Sequence, residues 1–208
     1  MKTFKSINPA NGKEIATYPG MQKAEVEELI EKAGKAQAEW ARRDVSERVN
    51  IVRGVAEQLR KRKDKDSRLM ALEMGKPRAQ GASEIEKCAW LVEYYTSEAP
   101  GQLAPNPIQT EASQSYVAFE PLGTVLAIMP WNFPFWQVCR FAIPALLAGN
   151  AVILKHAENT FGCAEAIEKI MHDAGLPADL FRSVRVNVEQ TADMIRHPGV
   201  AAVSLTGS

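Results

Sequence analysis

The strongest constraint on the fold is the alternation of strand-like and helical segments between Gly123 and Leu205. The strand-like segments are residues 124–129, 151–154, 181–186 and 200–205, and the helical segments are residues 135–147, 160–174 and 189–196. Strands that alternate with helices at this spacing predict parallel βαβ units. The continuous apolar run Val125-Leu126-Ala127-Ile128 indicates a strand covered on both faces, as parallel sheets require. This part of the chain is therefore predicted to be an α/β domain.

The residues before this region predict a set of helices. Apolar residues at helical spacing predict an amphipathic helix over residues 23–41. A second helix is predicted from Asp44, a third that ends at Gly75-Lys76-Pro77, and a fourth through residues 85–95 that is closed by Pro100-Gly101.

An extended ribbon is predicted between Leu103 and Pro121. Pro105 and Pro107 break helices, and residues 115–119 are rich in strand formers. The ribbon therefore separates the helical part of the chain from the βαβ part.

Charge, histidine and cysteine content exclude several classes of function. The chain has 208 residues, with 25 Lys and Arg against 25 Asp and Glu, so no net field favours nucleic acid or an anionic membrane. The basic run at residues 60–63 is interrupted by Asp64 and Asp66 and has no aromatic residues within it, which is typical of a solvated helix surface. No long apolar span predicts a membrane helix, and the histidines lack metal-ligand spacing. The separated cysteines Cys88, Cys139 and Cys163 favour packing positions in a protein of the reducing cytoplasm.

The loops that follow the strands are the first places to look for a site, because ligands bind beyond the carboxyl ends of strands in open parallel sheets. The loop after Ile128 contains Met129, Pro130, Trp131 and Asn132. An Asn side chain here could donate a hydrogen bond to a developing oxyanion, which contributes roughly 3 kcal/mol in a dry, preorganised site. Taken alone, an Asn before a helix is more often a helix cap.

The loop after Leu154 carries Lys155 and, three residues later, Glu158. An ammonium donor and a carboxylate acceptor at this spacing could bind the two hydroxyl groups of a ribose. The alternative is a surface ion pair, which would contribute about 0 to 1 kcal/mol. The sequence contains neither a Gly-x-Gly-x-x-Gly fingerprint nor a Walker-type phosphate loop.

Several short blocks of sequence, taken together, point to one family. They are residues 7–12 (INPANG), 73–77 (EMGKP), 130–134 (PWNFP), 148–150 (AGN) and 155–158 (KHAE). These blocks resemble the N-terminal, cofactor-binding part of the NAD(P)-dependent aldehyde dehydrogenases, and residues 7–12 look like the opening strand of that family. Residues 128–129 and 136–138 are most similar to its succinate-semialdehyde group. The resemblance covers nearly the whole chain and favours the functional interpretations of Asn132 and Lys155.

The resemblance implies a nicotinamide-nucleotide site and its residues. The implied cofactor-binding residues are Met129, Pro130, Trp131, Asn132, Lys155, His156, Ala157, Glu158, Gly207 and Ser208. Asn132 is also implied to be catalytic, because in the family this Asn binds the oxyanion together with the main-chain amide of the catalytic cysteine. Gly207 and Ser208 begin a turn that faces the pyrophosphate. His156 replaces a proline that is common in the family, and we expect it to be a loop residue whose titration plays no part in function.

The resemblance also implies the cofactor and the substrate. A carboxylate at Glu158 would accept a hydrogen bond from the ribose 2′-hydroxyl and repel a 2′-phosphate, so NAD is expected, with NADP possible. The implied reaction is the oxidation of an aldehyde, by this resemblance succinate semialdehyde, to its carboxylic acid. A cationic Arg140, one turn after Trp136, would suit the acid group of such a substrate. The alternative is an ordinary arginine on the helix surface.

The resemblance finally implies an organisation for the chain. We expect a Rossmann-like cofactor domain, with a helical part at residues 1–107 and a βαβ dinucleotide-binding part at residues 122–208. A β-ribbon arm at residues 108–121 would help subunits to associate. The nucleophilic cysteine and general-base glutamate of the family would follow Ser208, so the catalytic domain is expected to be absent and the chain alone inactive.

Two alternatives to a dehydrogenase half follow from the same expectations. The chain could be a non-catalytic nucleotide-binding module or a subunit-association module. An uncovered strand edge and apolar surface would favour a homo-oligomer or a self-associating fragment.

Overall fold

The computed structural model describes residues 2–207. The strands are β1 (Thr3–Ile7), β2 (Glu14–Pro19), β3 (Asn106–Pro107), β4 (Tyr116–Val117), β5 (Thr124–Met129), β6 (Ala151–His156), β7 (Phe181–Val184) and β8 (Ala202–Leu205). The helices are α1 (Lys23–Ala41), α2 (Val45–Met74), α3 (Arg78–Gln102), α4 (Trp136–Leu147), α5 (Phe161–Asp173) and α6 (Val188–Arg196), with a 3₁₀ turn at Glu158–Thr160.

The central feature is a four-stranded parallel sheet with the strand order β7-β6-β5-β8. Strand β5 lies in the interior of the sheet, with Thr124 opposite Ala151 of β6 and Val125 opposite Ala202 of β8. All four strands run in the same direction, so their carboxyl ends lie at one edge. The predicted α/β class and parallel sheet are confirmed, and each predicted strand in this region is present within two residues of its expected bounds.

The core joins the N-terminal helices to the sheet. Strands β5 and β6 are buried along almost their whole length because their sequences are nearly all apolar. Helices α1, α4 and α5 pack against the sheet. The fully buried Trp40 of α1 donates its indole N–H to the carbonyl of Leu146 in α4, at 2.8 Å. The residues of α1, α2, α3 and the sheet therefore share one hydrophobic cluster; the predicted division of the chain at residues 107 and 122 stays a prediction.

The prediction of separate second and third helices is wrong. Residues 45–74 form the single 30-residue helix α2, which ends at Gly75 in the left-handed conformation, with φ at 76°. The charged middle of this helix contains no breaker, and Arg62 contacts Asp66 across one helical turn at 3.1 Å. Helix α3 also continues through Pro100 to Gln102 rather than ending at Pro100-Gly101.

The N-terminal block at residues 7–12 is a turn rather than a strand. Strand β1 ends at Ile7, and the main-chain N–H of Gly12 donates to the carbonyl of Asn8 at 2.8 Å before β2 begins. Gly12 has φ at 68°, a conformation that favours glycine. The resulting antiparallel β1–β2 hairpin was not expected from the sequence.

The ribbon predicted at residues 108–121 is present but displaced. Its two short antiparallel strands are β3 and β4, so pairing starts at Asn106 and ends at Val117. The N–H of Ile108 donates to the carbonyl of Ser115 at 2.8 Å, which extends the pairing inward. The apolar side chains of Ile108, Tyr116 and Val117 are exposed.

Candidate functional site

The loops that follow β5, β6 and β8 meet at the carboxyl edge of the sheet. The N–H of Ala157, after β6, donates to the carbonyl of Met129 at 3.0 Å. On the other side, the N–H of Thr206, after β8, donates to the carbonyl of Ile128 at 3.0 Å. The structure therefore brings the three sequence-predicted loops together around the end of β5.

Asn132 lies exposed at the tip of the first loop. Its Oδ1 accepts a hydrogen bond from the N–H of Phe133 at 3.1 Å, which orients the side-chain amide. Helix α4 begins only at Trp136, so Asn132 is not its cap, and the helix-cap interpretation is wrong. Among residues 2–207, no acceptor lies within hydrogen-bond distance of its Nδ2 group, so this exposed side chain keeps a free donor.

The helix-cap function at α4 belongs to a residue that sequence reasoning missed. Oε1 of the buried Glu84 accepts hydrogen bonds from the N–H groups of Phe135 and Trp136, at 2.9 and 3.0 Å. Its other oxygen contacts the ammonium of Lys76, which is also buried. The contact joins residues 51 positions apart, so no local pattern in the sequence predicts it.

Lys155 and Glu158 lie in the second loop region without forming the ion pair that the sequence offered as an alternative. Glu158 accepts from the ammonium of Lys2 instead, at 3.2 Å. Lys155 is half-buried at the end of β6, and burial lowers the pKa of its ammonium, a change that the nearby Glu158 opposes and Lys2 reinforces. Within the part of the chain that the structure describes, the ammonium of Lys155 forms no salt bridge.

His156 is not a loop residue, because it is the last residue of β6 and is fully buried. Its Nδ1 accepts from the N–H of Ala157 at 2.8 Å and lies 2.9 Å from the hydroxyl of Thr160. Since an amide N–H can only donate, Nδ1 carries no proton, and Nε2–H donates to the carbonyl of Pro134 at 3.0 Å. Burial lowers the pKa of His156 to about 4. The buried ring therefore hydrogen-bonds to both loops and is not exposed at the surface between them.

The other predicted site residues fall into three groups. Met129 is buried, and it contributes its main-chain carbonyl to the junction with Ala157. Pro130 and Ala157 are partly exposed, while half of the Trp131 side chain is exposed. Gly207 is exposed, and an added Cβ there would meet nothing within 4 Å. Ser208 lies outside the described residues.

The three cysteines are buried, as predicted for packing positions. Burial raises the pKa of the Cys88 and Cys163 thiols well above the ordinary value, so both are held as neutral thiols. Among residues 2–207, no group of three His, Cys, Asp or Glu side chains has an arrangement suited to a metal ion. In the same part of the chain, every helix is too short or too polar to cross a bilayer.

The aldehyde dehydrogenase family model matches residues 1–208, the full length of the sequence. The chain belongs to the aldehyde dehydrogenase family. It is 39% identical over its whole length to a succinate-semialdehyde dehydrogenase [NADP(+)] of Deinococcus radiodurans, of which it covers 43%. It is 37% identical to the succinate semialdehyde dehydrogenase [NAD(P)+] of Escherichia coli, with 98% of this chain and 44% of that protein covered.

Solved structures of aldehyde dehydrogenases have the same fold. The succinic semialdehyde dehydrogenase of Streptococcus pyogenes, crystallised with NADP⁺, superposes with a TM-score of 0.92 at 28% identity. The superposition covers 96% of this chain and 44% of that one. This aldehyde dehydrogenase chain thus spans less than half the length of the relatives that it matches, and its predicted resemblance to the succinate-semialdehyde group is confirmed.

Proposed function

We propose that this chain forms the nicotinamide-nucleotide site of an aldehyde dehydrogenase that oxidises succinate semialdehyde or a similar acid-bearing aldehyde. The observation that supports the proposal is the meeting of three loops at one sheet edge, with the Asn132 amide and the Lys155 ammonium both available to a ligand. The residues proposed for the cofactor are Pro130, Trp131, Asn132, Lys155, Ala157, Glu158, Gly207 and Ser208, with Met129 and His156 acting through the loops.

The donors and acceptors at this edge fit a dinucleotide. The ammonium of Lys155 can donate to a ribose hydroxyl, and the partly exposed carboxylate of Glu158 can accept from one. The open space around Gly207 lets a phosphate approach the main chain. When bound, the nicotinamide supplies a hydride acceptor for aldehyde oxidation.

The cofactor choice that we propose includes NADP beside NAD. Glu158 alone would repel a 2′-phosphate, but its partner Lys2 offsets that charge and Lys155 adds a positive charge nearby. The names of the relatives support this choice, since one is specified for NADP(+) and another for NAD(P)+.

Asn132 is proposed to stabilise the negative charge that develops on the aldehyde oxygen. Its outward Nδ2 group is held by the hydrogen bond from Phe133 to Oδ1, so the donor is oriented before substrate arrives. A preorganised donor of this kind contributes roughly 3 kcal/mol. The nucleophile and the general base would come from residues outside this sequence, so we propose that the 208-residue chain alone does not oxidise aldehydes.

Arg140 supports the assignment of an acid-bearing aldehyde. It is exposed on α4, one turn after Trp136, and its Nη2 lies 3.5 Å from the hydroxyl of Thr206 in the third loop. A guanidinium at this edge can bind the substrate carboxylate in bidentate fashion.

The experiment that tests the proposal is calorimetric titration of the 208-residue protein with NAD and with NADP. Lys155→Ala should weaken binding at least about ten-fold, because a charged hydrogen bond is lost. The matched control is Lys169→Ala, which removes an exposed lysine of α5 that pairs with Asp173. Equal binding by the two variants would contradict the assignment of Lys155. Production of NADH from succinate semialdehyde by this chain alone would contradict its proposed inactivity.

A second candidate, subunit association, has its own observation. The ribbon and the segment after it expose Ile108, Tyr116, Val117, Phe119 and Leu122. A run of large apolar side chains on one arm favours contact with a second copy of the chain. Sedimentation of the unmodified protein and of the double variant Tyr116→Ser and Val117→Ser would test this association. Association of subunits is compatible with nucleotide binding, and we propose the cytoplasm as the location of both.

A further inference from the structure

The turn between α2 and α3 contains buried charged side chains that the proposed chemistry does not use. We call residues 73–84 the α2–α3 corner. Glu73, Lys76 and Glu84 are exposed by 2%, 7% and 4% respectively, although charged residues are almost never buried so completely without partners. The main-chain partners of the two glutamates lie at the starts of α4 and α5, the two helices that follow the site loops, and Lys76 pairs with Glu84.

Glu84 holds the start of α4. Its Oε1 accepts from two successive N–H groups, those of Phe135 and Trp136, which no carbonyl within the helix can satisfy. The carboxylate also lies at the positive end of the helix dipole. The ammonium of Lys76 contacts the other oxygen of Glu84 and lies 3.9 Å from the centre of the Phe133 ring. Residues 133–136, directly after Asn132, are thus fixed to the α2–α3 corner.

Glu73 holds the start of α5 in the same manner. Its two oxygens accept from the N–H groups of Gly162 and Cys163, at 3.0 and 2.9 Å. A Cβ at residue 162 would lie 2.7 Å from Oε1 of Glu73, so the carboxylate occupies the space that any larger residue needs. Helix α5 starts three residues after Glu158, and its first turn is thus fixed to the other side of the same corner.

We propose that the α2–α3 corner is a positioning element that sets the separation of Asn132 from Lys155 and Glu158. The α2–α3 corner contacts the start of α4 after the first loop and the start of α5 after the second. His156 connects Pro134 of the first loop to Thr160 of the second. Glu73 and Glu84 are therefore positioning residues, since they contact neither proposed ligand. The expected effect on nucleotide binding rests on the proposed function. The positioning of the two loops rests on the hydrogen bonds from main-chain N–H groups to Glu73 and Glu84.

The test uses Glu84→Gln and Glu73→Gln, which keep the shape of each side chain and remove its charge. Glu98→Gln is the matched control, because Glu98 is an exposed carboxylate on the same helix α3. Amide hydrogen exchange is followed by NMR in all three variants, with the side-chain amide signals of Asn132 as a marker of loop order. Nucleotide binding is measured by calorimetry on the same samples.

Loss of a charge-assisted hydrogen bond should accelerate exchange roughly ten-fold or more. We expect Glu84→Gln to do so at Phe135 and Trp136 and to broaden the Asn132 signals. Glu73→Gln should act at Gly162 and Cys163 and weaken nucleotide binding. If Glu84→Gln does not fold, the double variant Lys76→Met and Glu84→Gln, which removes both charges, carries the same test.

Uniform acceleration at all amides, or changes no larger than those of Glu98→Gln, would overturn the inference. If the unmodified chain binds no nucleotide, the proposed function fails, whereas the exchange pattern still decides whether the corner orders the loops. Faster amide exchange at the helix starts together with unchanged nucleotide affinity would overturn the role of the α2–α3 corner in the site.

Discussion

Acidification is expected to destabilise this protein through one buried side chain, His156. The neutral ring donates from Nε2 to Pro134 and accepts at Nδ1 from Ala157 and Thr160. A second proton would have to enter at Nδ1, where it would face the N–H of Ala157. Burial away from water adds to this cost, and the neighbouring Lys155 adds like-charge repulsion.

The size of the effect follows from the pKa of His156 in the two states. The pKa falls from 6.5 to about 4 in the folded protein, a difference of about 2.5. Each pKa unit corresponds to about 1.36 kcal/mol, so the full effect is about 3 kcal/mol. The folded state gives up the proton that the unfolded chain holds between these values. The contribution of His156 to the free energy of unfolding is therefore fully present above pH 6.5, and it is lost as the pH decreases toward 4.

The assay is urea unfolding at a series of pH values across this window, for the unmodified chain and for His156→Gln. The variant loses some stability at every pH, but its stability should fall less steeply, since it has no titrating ring at this position. His197→Gln is the control, because His197 lies near the surface at the end of α6 and leaves the buried ring in place. Equal losses of stability by the unmodified chain and His156→Gln would refute the reasoning.

Four further predictions concern packing, helix propensity and cofactor choice. Gly162→Ala should lower the free energy of unfolding by about 1–3 kcal/mol, because its Cβ would lie 2.7 Å from a buried carboxylate oxygen. Gly34→Ala, where the Cβ meets nothing within 4 Å, should raise the free energy by about 0.5–1 kcal/mol in the same denaturation assay. Trp40→Phe should cost about 1–3 kcal/mol on thermal unfolding, since the hydrogen bond from the indole to Leu146 is lost and the smaller ring leaves a cavity at a fully buried position. Lys2→Ala should shift calorimetric binding toward NAD over NADP, because Glu158 loses its partner; an unchanged ratio would contradict the charge argument.

The elements of the sheet could be predicted because their signals are local. The short apolar runs of β5 and β6 are typical of strands covered on both faces, and the chain between them has the period of a helix. Parallel pairing then places the carboxyl ends at one edge, so the meeting of the Asn132 and Lys155 loops also follows from the sequence.

The errors arise where distant contacts or missing breakers decide the structure. The charged middle of α2 has no Gly or Pro, so this polar stretch continues the helix and is not a boundary between two helices. Glu73 contacts main-chain groups 89 and 90 residues away, and Glu84 contacts main-chain groups 51 and 52 residues away. Contacts at such separations leave no periodic signal in the sequence. His156 looked like a loop residue because a charged neighbour and a turn follow the apolar run, although the ring is enclosed by the turn itself.

The strand order has a consequence for the order in which the sheet assembles. Strands β5, β6 and β7 are neighbours in both sequence and space, so each can add to the previous one through a single crossover. Strand β8 must instead return to β5, with Val125 opposite Ala202. Closing that long loop costs more chain entropy than each shorter crossover. We therefore expect β8 to pair last during folding. Until then, one edge of β5 has no strand paired with it, and the third loop is not yet in place at the site.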